Sequence, residues 1–492
     1  MVVDTTTKLF YTRAESLALF GRGDYGLARG RCQDGRSYGS LFSCRRPLVL
    51  ALKEEGMARE QHTEEVRQRV HRRDFLWTAA TGLVGLASVL TLRQPPAVAQ
   101  PRELTMLSFN HFVPQSDEEL RRQAAAFGQQ HKVKVTVDTI AGLQLPAKLS
   151  AEIETGSGHD VIALPRSSPY LYKHHLVPLD ALAEELGARD GGWYDFCRDY
   201  TYVDGTWKAL YWLWISFPGS YNKRYFDAAG LHAPDTWADV LQAGRVLKPR
   251  GHPVGIAISQ TGDANSSFWA ILWCHGAKVL EADGKTLAMQ TPQMEATLEY
   301  YRALYTEAME SEVLSWDDAS NNRCLISGKC CWIHNPTSAY ETARTKNMPI
   351  HQDIYFHATP AGPAGRYWGV EGASLGIWSF SKQVELAKEF LHFLYEREHF
   401  NAWIAASFGY NQPPLRVYAD NPVWQQNPKT ALLPKEAEYA RARGWPAKPN
   451  ELIQLIENNY ILPNMAAMAV TGTSIKEAIG WGEAQVRKVM AG

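Results

Sequence analysis

Neither sign of charge dominates this sequence: 51 Lys and Arg stand against 52 Asp and Glu, a net of −1 with histidine neutral. With no basic stripe and no polybasic run, nothing draws the chain to nucleic acid or to an anionic membrane surface. Cysteine is scarce, seven in 492 residues, which excludes a scaffold stapled mainly by disulfides and leaves an ordinary core to hold the fold. No apolar run reaches the ~20 residues that a helix needs to cross a bilayer core. Nothing repeats, which removes solenoids and propellers. No Gly-x-Gly-x-x-Gly follows the first strand of the main body, so a dinucleotide site lacks its motif.

What is present begins with "HRRDFLWTAATGLVGLASVLTL" (71–92), a charged flank leading into a short greasy run, followed by "AVAQ". Ala97 and Ala99 make the small-x-small pattern of a signal-peptidase site, with cleavage expected after Ala99. Arg72, Arg73, Phe75 and Leu76 resemble the twin-arginine export signal, although His71 and Trp77 depart from its first and last positions. Residues 1–56 are Gly- and Arg-rich in part, show no helix or strand period and cannot bury a core. They read as a disordered segment or a misassigned upstream extension, with translation starting at Met57 and a signal peptide at 57–99. Removing the leader leaves 36 positive against 42 negative side chains, and 15 of the 16 tryptophans. About 390 residues are too many for one ordinary core and predict two or three lobes.

Five cysteines follow the leader: Cys197, Cys274, Cys324, Cys330 and Cys331. "CLISGKCCWIH" invites a metal reading with His334, but its spacing matches no zinc pattern. Buried thiols, or one disulfide from Cys324 to Cys330 or Cys331, are the competing readings. No cofactor is expected.

After the leader, "ELTMLSFNHF" is a short apolar strand. "DEELRRQAAAFGQQHK" sets Leu120, Ala124 and Phe127 on one helical face, and "VKVTVDTI" alternates with a strand period. "LPAKLSAEIETG" is a helix closed by Gly156, "DVIALP" a buried strand, and "LYKHHLVPLDALAEEL" a return to helix. The order β-α-β-α-β predicts an α/β fold with a mainly parallel sheet. Ligands of such sheets sit beyond the carboxyl ends of the strands. That singles out Asn110, His111 and Phe112 after the first strand, and Arg166, Ser167, Ser168 and Tyr170 after the third.

Five blocks occur in order: "GSGHDVIALPRSSPYLYKHHLVPLD", "TWKALYWLWISFPGSYNKRYFDAAGLHAPDTWADVLQAGRVLK", "CLISGKCCWIHNP", "HATPAGPAGRYWGVEGASLGIWSFSKQVELAKEFLHFL" and "FGYNQPPLRVY". Together they resemble the extracellular solute-binding proteins of carbohydrate ABC transporters, the maltose-binding-protein-like family 1. The resemblance implies a periplasmic-binding-protein-like fold of type II: two α/β lobes, each a mainly parallel sheet flanked by helices, on a hinge of crossing segments. Lobe 1 would comprise 100–212 with 358–412, and lobe 2 213–357 with 413–492. It implies capture of a small solute, a sugar, oligosaccharide or polyol, and delivery to the permease subunits of an importer. The protein would be a periplasmic monomer exported by the twin-arginine machinery and would not be an enzyme.

Sugars offer flat C–H faces and rims of hydroxyls, so aromatic platforms and planar polar groups suit them. The resemblance puts Trp269 on the sugar, with Asp263 and Asn265 in the loop before it. "YWLWISF" supplies Trp212 and Trp214. Trp368, Glu371 and Gly372 come from the return segment, and Trp332, Asn335 and His334 follow the "GKCCWI" strand. Each aromatic has core packing as its ordinary alternative, and Glu371 could be a structural carboxylate paired with Arg366. The rival class is an exported glycoside hydrolase, which would need two carboxylates facing each other across the bond, Asp263 and Glu371.

Overall fold

The computed structural model describes residues 102–491. Arg72, Arg73, Phe75, Leu76, Ala97, Ala99 and the segment 1–56 lie outside the described residues. The chain opens with β1 (Glu103–Phe109), α1 (Gln115–His131), β2 (Lys134–Ile140), α2 (Leu145–Thr155) and β3 (Val161–Pro165). The local reasons are those visible in the sequence. Leu120, Ala124 and Phe127 are buried along one face of α1. Gly156 closes α2 in the left-handed region at φ 59°, where a side chain would be strained.

Next come β4 (Leu210–Ile215), β5 (Gly219–Asn222), β6 (Val254–Gly255), α3 (Gly262–Cys274), α4 (Ser320–Ile326), β7 (Trp332–His334), β8 (Ile354–His357) and β9 (Glu371–Ile377). Three closing helices are α5 (Glu451–Asn458), α6 (Ile461–Val470) and α7 (Ile475–Met490). The two larger sheets run β2-β1-β3-β9-β4 and β8-β5-β7-β6. Each is the centre of one lobe of a two-lobed α/β molecule.

The sheets are mixed rather than mainly parallel. β1 pairs parallel with β2 and β3, while β9 runs antiparallel to both β3 and β4. In the second sheet β6 and β7 are parallel, and β5 opposes both β7 and β8. The cause is the hinge: β4 hands the chain to β5 through Ser216, Phe217 and Pro218, and β9 brings it back from the other lobe. A strand entering from across the gap need not share the direction set by β-α-β crossovers.

Hydrogen bonds draw two lobe boundaries differently from the sequence expectation. Trp368 and Gly369 pair with Ala440 and Arg441, and Ala361 with Thr236, so 358–369 stays with lobe 2 and the return crossing falls at Val370–Glu371. At the third crossing, the N–H groups of Arg416 and Val417 bond Gly192 and Asp190, and Asn421 bonds Asn401. Asn427 already reaches Tyr340 of lobe 2, so the chain crosses between 421 and 427 rather than near Leu415.

Cys324 and Cys330 form a disulfide, while Cys197, Cys274 and Cys331 are buried free thiols. His334 stands apart, bonded to Ser267 and Thr359. Among the described residues no His, Cys, Asp and Glu group is arranged to hold a metal.

Candidate functional site

Between the lobes lies a cleft of about 430 Å³, inside the size range of small-molecule sites. Its position follows from the sheet: Asn110 continues β1 and Arg166 continues β3, so both stand beyond carboxyl ends. The lobe 1 wall is largely apolar, with Phe109, Phe112, Leu143, Leu145 and Ile215. Phe112 is 47% and Leu143 57% exposed, the most open of the large apolar side chains among the described residues. Gly262, Asp263, Asp318 and Tyr460 face them, and Glu371, Gly372 and Tyr410 close the back. Gly372 has no alternative, because a Cβ there would collide with the Leu213 carbonyl and the Tyr211 hydroxyl.

The floor carries a four-membered ring of charges. Arg166 Nη1 donates to both oxygens of Glu371, at 3.1 and 3.2 Å. Arg443 Nη2 donates to Glu371 Oε2 at 2.5 Å and its Nη1 to Glu457 Oε1 at 2.5 Å. Arg166 Nε lies 3.4 Å from Glu457 Oε2 and completes the ring. Arg166 and Glu371 belong to lobe 1, Arg443 and Glu457 to lobe 2, so two of the four contacts span the lobes. Burial works against both guanidinium charges, but Glu371 and Glu457 outweigh it and hold the two arginines above their ordinary pKa. Burial likewise works against the Glu371 carboxylate, and Arg166 with Arg443 hold it below its usual range.

A second acidic feature stands on lobe 2. The side chain of Thr261 caps α3, accepting from the Ala264 N–H at 3.1 Å, and this sets Asp263 in the first turn. The Asp263 N–H donates to Asp318 Oδ1 at 3.1 Å, while Asn321 Nδ2 donates to Asp263 Oδ2 at 2.6 Å. Burial first, and Asp318 next, push Asp263 well above the ordinary carboxylate value, with Asn321 opposing. Asp318 is raised as well, by burial above all. Asn335 supports this pair from behind by accepting from Asn321 at 2.9 Å.

Of the residues singled out in the sequence, Asn110, Phe112, Arg166, Asp263, Glu371 and Gly372 line the cleft together. The tryptophans do not. Trp212 stacks on Trp403 at 4.6 Å, and Trp214 donates to the Pro413 carbonyl. Trp269 donates to Glu457, Trp332 to His357 and Trp368 to the Glu436 carbonyl. None is more than 2% exposed. With each ring packed in the core, and the four last-named indole N–H groups satisfied there, no flat face is free for a ligand. Asn265 bonds the Glu457 carbonyl, and His111 is buried against Asp117 at 2.7 Å. Ser167 is fully buried. Glu371 is not paired with Arg366, which instead reaches Asp235 and the Thr359 carbonyl.

Asp318, Tyr410, Tyr460, Arg443 and Glu457 were absent from the sequence candidates. One signal did exist for Glu457: it shares the buried face of α5 with Ile453 and Ile456, a charge inside an apolar stripe. No comparable pattern marks the others.

Comparison with known proteins gives one family. The model for "bacterial extracellular solute-binding protein" matches residues 122–432. A curated protein of Escherichia coli K12, whose name places it among ABC transporter periplasmic-binding proteins, is 22% identical over 272 residues, 52% of this chain and 59% of its own length. The match thus spans less than two thirds of that relative. Among solved structures, the maltose-bound MalE3 of T. maritima superposes with a TM-score of 0.69 at 20% identity, covering 79% of this chain and 99% of the other. An ABC transporter solute-binding protein of Agrobacterium radiobacter K84, in complex with ribitol, gives 0.68 at 17% identity, covering 79% and 98%.

Proposed function

The chain belongs to the bacterial extracellular solute-binding protein family, and from that premise we propose that it captures a sugar, oligosaccharide or polyol between its lobes and hands it to an ABC importer. The observation that carries this reading is the cleft itself, whose apolar wall on lobe 1 faces carboxylates and a guanidinium on a polar floor. C–H faces of a polyhydroxylated ligand would lie against Phe112 and Leu143. Its hydroxyls would meet Asn110, Arg166, Asp263, Asp318 and the backbone at Gly372. Ligand touching both walls stabilises the closed form over the open one, and the permease would read that shift in population. Sugar- and polyol-bound neighbours of the same fold support the ligand class. Export by the twin-arginine machinery, cleavage after Ala99 and a periplasmic, monomeric state complete the proposal.

A hydrolase is disfavoured by the family, whose matched members are binding proteins, and by the floor, where two guanidinium groups occupy the Glu371 carboxylate that would have to attack. The test is a thermal-unfolding screen against sugars and polyols with each hit recovered afterwards. A ligand at a hundred times its Kd adds about 2.7 kcal/mol to stability. A shift with unchanged ligand is expected; turnover of the hit, or no shift with any member, refutes capture of this ligand class.

A further inference from the structure

We propose that the cargo carries a protonated nitrogen: an amino sugar or amino polyol whose ammonium group sits against Asp263 and Asp318. This deepens the capture reading above and rests on it. The reasoning is charge accounting around the cleft. Five carboxylates, Asp263, Asp317, Asp318 and Glu371 in its lining and Glu457 behind the floor, stand with two guanidinium groups, those of Arg166 and Arg443. The floor ring uses both cations: Arg166 Nη1 is committed to the two oxygens of Glu371, and Arg443 to Glu371, Glu457 and Ser266. Asp317, next in the chain, has its own cation in Arg323 on the outer surface.

That leaves Asp263 and Asp318 adjacent to each other with neutral donors only, the Asn321 amide and the Asp263 N–H. Arg166 reaches the same glycine: a Cβ on Gly262 would lie 3.9 Å from its Nη1 and 3.6 Å from Asp318 Oδ1. It tempers the pair without bonding to it. Two like charges beside an apolar wall are expensive, and closing the lobes over a neutral sugar would remove the water that screens them. A ligand cation converts the same pair from a liability into the main attraction. The rings of Phe112 and Tyr460 on the cavity wall add faces that favour a cation. The upward shift of both carboxyls in the empty cleft fits this reading, since a bound ammonium would restore their charge. Binding would then release protons where either carboxyl is still protonated and strengthen as pH rises, until the amine itself deprotonates.

The experiment is calorimetry on the full chain with matched pairs: glucosamine against glucose, galactosamine against galactose, and 1-amino-1-deoxysorbitol against sorbitol. In at least one pair the amine is expected to bind ten-fold or more tightly than its neutral partner. Asp263→Asn and Asp318→Asn should each cut that ratio at least ten-fold, with circular dichroism confirming that the variants fold. The ratio is the readout, so a general loss of affinity does not count in favour. Neutral members binding as well as the amines overturns the inference and leaves sugar or polyol capture standing. No binding by either half overturns both.

Discussion

Replacing Glu457 with Gln tests the charge ring directly. The Glu457 side chain is fully buried, its Oε1 accepting from Arg443 at 2.5 Å and from the Trp269 indole at 3.1 Å, with Oε2 3.4 Å from Arg166 Nε. The amide keeps the shape and one acceptor oxygen but leaves two guanidinium groups facing the single carboxylate of Glu371. Removing one partner from a buried ionic group costs about 3–5 kcal/mol. With about 2.1 cal/mol/K of unfolding entropy per residue over roughly 390 residues, Tm should fall by about 4–6 °C if the lobes unfold together. Because one of the lost contacts spans the lobes, small-angle scattering of the ligand-free variant should also show a more open particle. The double change Glu457→Leu with Arg443→Met should recover much of the lost stability, since apolar replacement of a whole buried ion pair is often neutral or better. A Tm within 1 °C of the parent for Glu457→Gln would refute the ring as a structural element.

Phe112→Ala and Trp269→Ala should separate in opposite ways: the first lowers ligand affinity several-fold with stability within about 0.5 kcal/mol, the second costs about 3–5 kcal/mol in denaturant unfolding. His357 is pushed down to about 4 by burial, and its Nε2 accepts from the Trp332 indole at 2.7 Å, which requires a neutral ring. A depressed folded-state pKa means stability fully present above pH 6.5 and lost as pH falls toward 4. Replacing His357 with Asn should therefore flatten the unfolding free energy over that window. Asp263 has the opposite sign: its raised pKa makes the ligand-free protein lose stability as pH climbs through it, so Asp263→Asn should raise Tm at neutral pH without ligand. Reducing Cys324–Cys330, which closes a loop of sequence separation 6, should cost about 2 kcal/mol. It should also weaken binding, because the bridge anchors α4, whose Asn321 holds Asp263.

Local pattern carried the first five elements of lobe 1 nearly residue for residue, because strand and helix periods there agree with what the tertiary fold buries. The rule that ligands meet the ends of parallel strands then delivered Asn110, Phe112 and Arg166. It gave His111 and Ser167 equally, since a sequence cannot say which of two adjacent side chains turns inward; the aspartate at 117 decided it for His111. The tryptophans misled for a related reason. "YWLWISF" is a strand buried on both faces, and α3 is apolar nearly all round, so aromatics there meet protein on every side. Leu143, left open to the cleft beside Phe112, looks ordinary in sequence. Arg443 and Glu457 meet Glu371 and Arg166 only because the chain crosses between the lobes three times, and no local signal records a contact made at that distance.

Those crossings also bear on how the protein is made. The closing segment from about 427 onward supplies lobe 2 with α5, α6 and α7, and the floor with two of its four charges. Until Arg443 and Glu457 leave the ribosome, Glu371 and Arg166 have only each other. A contact between Arg166 and Glu457 spans most of the chain, the kind of long-range closure that slows folding. The native cleft therefore cannot exist until the segment through Glu457 has emerged, and a nascent chain has an extended interval in which its floor is unfinished and open to chaperones.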